Sequence, residues 1–322
     1  MVKEIGGYIE LDSYHLQMLH KGAIALNCGR NALAYVLKGR KIRKIKIPYL
    51  LCSSIPDTCN REGVMFSYYH IQRDFHPVES LELEANEWLY LVNYYGQLSN
   101  EQIKTLVQRY ERVIVDQAQS YFQPPIPGVD TIYVCRKYFG VADGAFLYSD
   151  IKLDSPLDQD ESFNRMRFLL GRYERTASEF YEEYIENNRF FANERIKYMS
   201  KLTTNLLCGI DYETVKNVRE SNYRYLQKQF CDRNILKIAE FPGTFMYPLM
   251  VGDGESVRKI LLEKRIYIPL LWPYVLNVTR QTDVEYQFAK NILPLPIDQR
   301  YGNEEMEYLS DIVLNVLADS VL

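Results

Sequence analysis

VIVDQAQSYFQPPIPGVDTIYVCRKYFGVADGAFLYSD, residues 113 to 150, carries the pattern that says most about the fold. It begins with a short apolar run, Val113–Val115, and this predicted strand delivers Asp116 at its end. A second run, Thr131–Cys135, is β-branched and aromatic, which is typical of a strand. A glycine-containing turn then leads to a third predicted strand, Ala145–Tyr148. The stretch therefore predicts three strands with polar residues at their ends.

Two of those polar residues suggest a chemistry. Asp116 ends the first strand and Lys137 follows the second, and open α/β sheets bind their ligands at the ends of strands. A lysine that forms a Schiff base with pyridoxal phosphate (PLP) usually has an acidic partner for the pyridine nitrogen. On spacing alone, a solvated aspartate and a surface lysine explain the pair more simply.

VIVDQAQ followed by YVCRKYFGVADGAFLYSD resembles the aspartate and lysine signatures of the DegT/DnrJ/StrS family. That family consists of fold-type I PLP enzymes that mostly transaminate keto-sugars attached to nucleotides. The resemblance implies that Lys137 is the Schiff-base lysine and that Asp116 is the partner of the pyridine nitrogen. It also implies that Gln119 lies near the phenolic oxygen of the cofactor, that glutamate is the amino donor, and that the protein is a homodimer.

An upstream turn is a candidate phosphate site. Ala23–Leu26 predicts a strand, and a helix is predicted to start at Ala32, so the turn between them opens a helix whose free N–H groups favour an anion. In the family a Gly-Thr-type turn holds the PLP phosphate, and Gly29, Arg30 and Asn31 resemble it. Arg30 stands where a small hydroxyl residue is usual, and arginine can pair with phosphate.

Two further positions depart from the family pattern. Ile132, five residues before Lys137, replaces a small polar residue that contacts phosphate. Cys52 falls near the place of an aromatic ring that stacks on the cofactor, so either Tyr49 or Phe66 supplies the ring or the site is altered.

Residues 151 to 198 form a divergent insert that is polar, predicted helical from Glu161 to Arg195, and rich in Arg, Glu, Phe and Tyr. Relatives carry a hairpin here whose Gly-x-Asn-x-Arg tip reaches the cofactor phosphate of the neighbouring subunit. This chain lacks that motif, although Asn188, Arg189, Asn193 and Arg195 lie nearby. A solvated helical pair and a cross-subunit role both remain open for the insert.

Other elements follow from caps and periodicity. Ser99 and Gln102 form a capping-box pattern before a predicted helix over Glu101–Tyr110. The alternating charges of Glu79–Glu87 predict a solvated helix. Strands are predicted over Ile238–Phe241, Phe245–Val251, Ile266–Ile268 and Ile292–Ile297, and helices over Ser256–Glu263 and Glu304–Leu317.

Strands alternate with helices over the first 150 residues, which predicts an α/β fold with a mostly parallel central sheet covered on both faces. The resemblance implies the fold of type I PLP-dependent transferases, with a large domain and a small C-terminal α/β domain. We place the large PLP-binding domain at residues 1–225, with a lead-in at 1–20, and the small domain at 226–322.

Composition narrows the function classes. The net charge of −4 gives no electrostatic footprint for nucleic acid, and no run approaches a membrane span. Six scattered cysteines without CxxC spacing indicate neither a disulfide framework nor a zinc site, so no metal is expected. The opening residues Met1–Glu4 show no apolar signal segment, so we expect a cytoplasmic protein.

Two functions are compatible with the sequence. The first is a PLP-dependent aminotransferase that acts on a keto-sugar nucleotide or a similar carbonyl compound. The second is a divergent protein of the same fold that binds PLP weakly or not at all and acts as a binding or regulatory protein.

Overall fold

The computed structural model describes residues 5 to 319. The first four residues of the predicted lead-in and the last three residues of the predicted small domain lie outside the described part. Within that part the main sheet has seven strands: β1 (Ile24–Leu26), β2 (Lys44–Pro48), β3 (Met65–Tyr69), β4 (Glu87–Val92), β5 (Val113–Asp116), β6 (Asp130–Val134) and β7 (Ala145–Tyr148).

The strands pair in the order β1-β7-β6-β5-β4-β2-β3. From β2 to β6 the pairing is parallel, whereas β7 pairs antiparallel with both β6 and β1. The predicted mostly parallel sheet is therefore confirmed. Asp116 lies opposite Val92 on one side and Ile132 on the other, so β5 ends in the middle of the sheet with its carboxylate at the carboxyl edge.

Helices of the first half cover this sheet, and its buried face forms the largest hydrophobic core. They are α1 (Gly29–Gly39), α2 (Ser54–Arg61) and α3 (Asn100–Tyr110). The predicted capping box of α3 is present, because Ser99 Oγ accepts from Gln102 N–H and Gln102 Oε1 accepts from Ser99 N–H. Leu33 and Val36 of α1 are fully buried, which fixes α1 on the sheet.

The insert contains two short helices, α4 (Arg167–Glu174) and α5 (Tyr181–Phe190), within the segment that is predicted to be helical from Glu161 to Arg195. They pack as a hairpin because the Phe180 ring lies against Gly171, where a Cβ would come within 2.3 Å of it. After α5 the chain returns to the sheet: Asn27 N–H donates to Lys197 O at 3.0 Å and Met199 N–H donates to Ala25 O at 3.0 Å. The insert is thus tied to β1 at its C-terminal end.

Two helices follow, α6 (Lys201–Leu207) and α7 (Tyr212–Phe230). The C-terminal part contains β8 (Tyr247–Met250), α8 (Gly254–Glu263), α9 (Val275–Val278), α10 (Val284–Asn291), β9 (Ile292–Leu295) and α11 (Asn303–Asp319). A second core joins the end of α7 to β8, β9, α8 and α11. The domain boundary at residue 225 stays a prediction, and α7 runs through it as one continuous helix.

Three predicted elements are wrong. Glu79–Glu87 is not a helix: the Glu84 carboxylate pairs with Lys44 at 2.7 Å and the Glu87 carboxylate pairs with Lys46 at 3.4 Å, so these charges bind the neighbouring β2. Around Ala239 the predicted strand is absent because the Gln97 side chain bonds both its N–H and its C=O, at 2.8 and 2.9 Å.

The third wrong element is the strand predicted over Ile266–Ile268. Ile266 N–H donates to Leu261 O at 2.9 Å, so this residue closes the end of α8. Arg265 before it has a left-handed backbone with φ of 60°. Pro269 follows without an N–H group, which also disfavours a strand.

No helix in the described range 5–319 is long and apolar enough to cross a membrane. All six cysteines are free thiols. No cluster of three or more histidine, cysteine or acidic side chains that could hold a metal ion occurs among these residues.

Gly144 joins the turn after β6 to the start of α1. Its N–H donates to Asn27 O at 2.7 Å, and its C=O accepts from Cys135 N–H at 3.1 Å. Its φ is +116°, and an added Cβ would lie 3.2 Å from Cys135 and from Thr203. The position therefore requires glycine for both backbone and steric reasons.

We expect Gly144→Ala to lower the free energy of unfolding by about 3 kcal/mol, because backbone strain adds to the clash. Gly128→Ala is the matched control, since φ there is +78° and no atom lies within 4 Å of an added Cβ. It should cost only about 1 kcal/mol. Urea unfolding of both variants measures the difference, and equal losses would show that close packing at Gly144 is unimportant.

Candidate active site

Asp116 is held by two hydrogen bonds at the end of β5. The buried Tyr90 hydroxyl on β4 donates to Asp116 Oδ2 at 2.8 Å, and Ala118 N–H donates to Asp116 Oδ1 at 2.8 Å. Burial is the main cause that raises the pKa of the Tyr90 phenol, and the negative charge of Asp116 raises it further. Tyr90 therefore stays protonated and donates. Asp116 itself stays half-buried, so its fixed carboxylate can reach a ligand at the sheet edge.

Gln119 follows Asp116 by one turn and is buried. Its Oε1 accepts from Tyr95 N–H at 2.8 Å, which locks the side-chain amide against the turn after β4. Within the described residues the Gln119 amide nitrogen donates no hydrogen bond. The Gln119 amide nitrogen is therefore a fixed donor, available for a hydrogen bond to a ligand oxygen.

Lys137 ends a short 3₁₀ turn, Cys135–Lys137, that follows β6 directly. The side chain is exposed, and its Nζ lies 5.3 Å from the centre of the Phe245 ring. No hydrogen bond or ion pair to this amine occurs among the described residues. Phe245 N–H also donates to Gln119 O at 3.2 Å, so Lys137 and Gln119 lie on the same edge of the sheet.

The start of α1 has the features of an anion site. The N–H groups of Gly29 and Arg30 donate no hydrogen bond within the described residues, and no side chain caps this end of the helix. Such free groups and the helix dipole favour an anion. Glycine is needed at 29 because a Cβ there would lie 2.8 Å from Val134 Cγ2 on β6.

Asn31 serves this turn structurally. Its side chain is fully buried, and its amide nitrogen donates to Asn27 Oδ1 at 3.0 Å and to Arg195 O at 2.7 Å. Its carbonyl oxygen accepts from Arg61 Nη2 at 2.9 Å. The Asn31 side chain thus ties α1 to the insert and to α2, and it is not free to bind a ligand.

The insert reaches this turn through the last turn of α5 and the residues that follow it. Arg30 Nη1 donates to Asn188 O at 3.0 Å, and Arg136, the residue before Lys137, donates to Asn188 Oδ1. Arg61 donates to Ala192 O and Glu194 O, both at 3.3 Å. The segment from residue 188 to 195 therefore lies beside the predicted phosphate turn of its own chain.

The aromatic ring expected over the cofactor has no clear counterpart. Cys52 is exposed and lies before α2. The Tyr49 ring stacks on Tyr68 at 4.6 Å, and Phe66 packs edge-on against the same Tyr68 ring at 5.5 Å. Tyr49 follows β2 and Phe66 lies on β3, two and three strands from β5. The structure thus keeps both rings together at the far side of the sheet.

Sequence reasoning missed several residues of this site. Tyr90 gave no signal because a tyrosine in an apolar strand reads as core. Arg136 and Asn188 stand 52 positions apart in the chain, and only the fold brings them together. Phe245 was read as part of a strand, whereas β8 begins two residues later.

No family model matches the sequence. No curated protein matches it either. Solved structures do match the fold. A DegT/DnrJ/EryC1/StrS aminotransferase from Brucella abortus has a TM-score of 0.62 at 12% identity, with 92% of this chain and 86% of that chain covered. This chain has the fold of those aminotransferases.

Two more structures with the aminotransferase fold agree. Helicobacter pylori PseC, an aminotransferase involved in the biosynthesis of pseudoaminic acid, has a TM-score of 0.62 at 13% identity, covering 93% of this chain and 87% of its own. NtdA from Bacillus subtilis, solved with bound cofactor PMP, has a TM-score of 0.63 at 13% identity, covering 92% of this chain and 73% of that chain. The predicted fold class is therefore confirmed.

We expect Tyr90→Phe to lower the free energy of unfolding by about 2 kcal/mol, because it removes a hydrogen bond to a charged acceptor. Tyr69→Phe is the control, since the buried Tyr69 hydroxyl donates at 2.9 Å to a neutral acceptor, Tyr90 O. That change should cost about 1 kcal/mol. Chemical denaturation of both variants tests the order, and a smaller loss in Tyr90→Phe would argue against a structural bond to Asp116.

Proposed function

We propose that this protein is a PLP-dependent aminotransferase that acts on a keto-sugar nucleotide or a similar small carbonyl compound, with glutamate as the amino donor. One observation carries the proposal. Lys137 presents an amine without a polar partner among the described residues, on the same sheet edge as the fixed Asp116 carboxylate. The aminotransferase fold and the sequence resemblance both support this reading of the pair.

The residues present fit the cofactor. A phosphate suits the two free N–H groups at the start of α1 and the Arg30 guanidinium. A protonated pyridine nitrogen suits Asp116, and a phenolic oxygen suits the free amide donor of Gln119. Asn31 would act on the phosphate only by holding the turn.

PLP, when bound, supplies an aldehyde and an electron-accepting ring. Asp116, fixed by Tyr90 and Ala118, holds the proton on the pyridine nitrogen. The Lys137 amine would hold the cofactor, and as a free base it would carry a proton to or from the substrate carbon. The Gln119 amide N–H would donate to the phenolic oxygen of the cofactor and so would orient its ring.

We expect the purified protein mixed with PLP to develop a near-visible absorbance band. Glutamate should bleach this band, and borohydride added without glutamate should fix the cofactor covalently onto Lys137. Lys137→Ala should show only the absorbance of free PLP, because this variant has no amine at position 137 to form the covalent bond to the cofactor. Lys152→Ala, at an exposed lysine just after β7, is the control and should behave like wild type.

The absence of a band at saturating PLP in the wild type would contradict the proposal. The second candidate, a binding or regulatory protein with this fold, would then replace it, and the outcome can be checked by titrating nucleotide-sugars against the intrinsic fluorescence.

The proposal includes a homodimer. The N-terminal residues Ile5, Tyr8 and Ile9 are 94, 97 and 91% exposed, which is unusual for apolar side chains unless another surface covers them. Their segment is fixed to α6 through Leu16 N–H, which donates to Cys208 O at 2.9 Å. A second copy of the chain is the occupant that the resemblance implies. The cytoplasmic location also belongs to the proposal, and six free thiols suit a reducing compartment.

Sedimentation equilibrium should give twice the chain mass for the wild type. Ile5→Ser combined with Ile9→Ser should weaken association, because the buried apolar area falls. Replacing the exposed Tyr173 of α4 by Ser serves as the control and should leave the dimer intact. A wild type that sediments as a monomer at all concentrations would contradict the dimer.

A further inference from the structure

Two arginines beside the start of α1 lack an acidic partner. Arg30 and Arg136 each donate a hydrogen bond to Asn188, one to its backbone oxygen and one to its side-chain oxygen. Among residues 5–319 neither arginine forms an ion pair. Asn188 is neutral, so the two positive charges are held close together by an acceptor that does not neutralise them.

Arg136 is the more enclosed of the two. Its guanidinium lies 5.1 Å from the centre of the Phe191 ring, and Phe191 is fully buried. Burial is the main cause that lowers the pKa of the Arg136 guanidinium. The half-buried Arg136 forms no ion pair among residues 5–319, so an anion that bound beside it would be stabilised.

The arginines converge on the end of α1 that has free N–H groups. Burial raises the pKa of the thiol of Cys28, the residue before α1, and nearby Arg30, Arg136 and Arg61 partly oppose that rise. Arg61 has an acidic partner, Glu62, whose Oε1 accepts from Arg61 Nε at 2.9 Å while its Oε2 pairs with Lys38 at 3.1 Å. The uncompensated charge at the helix start therefore comes from Arg30 and Arg136.

We propose that Arg30 and Arg136 form a clamp for the phosphate of the cofactor, positioned by Asn188 of the same chain. This inference rests on the proposed PLP function. Each guanidinium has five N–H donors and spends one on Asn188, so donors remain for phosphate oxygens, which arginine binds in a bidentate manner. The clamp would replace both the hydroxyl residues missing at Arg30 and Ile132 and the missing cross-subunit hairpin.

The segment that carries Asn188 is built to stay in place. The guanidinium of Arg165 lies 4.1 Å from the centre of the Phe190 ring, and Phe191 packs between Arg136 and Arg165 at 5.1 and 5.3 Å. Asn187 Nδ2 also donates to Ala142 O at 2.9 Å. Asn188 is thus a fixed positioning residue for both arginines.

A comparison of PLP with pyridoxal, which has the same aldehyde without phosphate, isolates the clamp. We expect Arg136→Gln and Arg30→Gln each to weaken PLP binding about 10- to 100-fold, as loss of a charge-assisted contact does, and to leave pyridoxal binding within about twofold. Arg189→Gln, at the exposed arginine next to Asn188, is the control and should match wild type for both aldehydes.

Asn188→Asp sharpens the test because it provides the missing counter-ion. The new carboxylate should pair with both arginines, raise the melting temperature of the free protein and weaken PLP binding without weakening pyridoxal binding. Opposite effects on stability and affinity cannot come from misfolding.

Two results would overturn the clamp: PLP affinity in Arg136→Gln equal to that of Arg189→Gln, or equal losses for PLP and pyridoxal. Failure of the proposed function is separate, since the wild type would then react with neither aldehyde. In that case the melting temperature is measured with and without inorganic phosphate, which tests the clamp without an aldehyde. A rise in the melting temperature of the wild type but not of Arg136→Gln would support the clamp as an anion site, and no rise would overturn it.

Discussion

The backbone of Gly144 connects the two halves of the proposed site. Through its N–H it bonds the chain just before α1, and through its C=O it bonds Cys135, two residues before Lys137. The backbone that carries Lys137 and the start of α1 are therefore held beside each other, which a bound cofactor with an aldehyde at one end and a phosphate at the other would need. No side chain fits at Gly144 without strain, so the junction depends on glycine at this position.

The parallel sheet fixes the position of Asp116 relative to Lys137 and to the start of α1. β5 lies between β4 and β6, so Asp116 is delivered at the carboxyl edge, between the turn that carries Tyr95 and the turn that carries Lys137. Behind it, the buried Asn93 amide donates to Gln117 Oε1 and Gln123 Oε1 at 3.0 and 2.9 Å. These buried bonds hold the turns in one arrangement before any ligand binds.

The insert changes how such a site is completed. Its end supplies Asn188 and the backbone oxygens of Ala192, Glu194 and Arg195 to three polar side chains of α1 and α2. All of these contacts lie within one chain. The position of the arginines therefore does not depend on a neighbouring subunit, even though we propose a dimer for other reasons.

The sequence was sufficient for the features that depend on local pattern. Strands from Val113 to Tyr148, the capping box at Ser99 and a helix from Ala32 were predicted because alternation, caps and turns are local signals, although this helix begins at Gly29. The strand prediction around Ala239 was wrong because the side chain of Gln97, 142 positions away in the chain, bonds the backbone groups of Ala239. The pairing of Arg30 with Asn188 spans 158 positions, which no local pattern reveals.

A crystal structure of the protein grown with PLP tests the central claim most directly. The account predicts continuous electron density from Lys137 Nζ to the cofactor, Asp116 against the pyridine nitrogen, and the phosphate between the start of α1 and the guanidiniums of Arg30 and Arg136. Density on another lysine, or a phosphate away from both arginines, would contradict it.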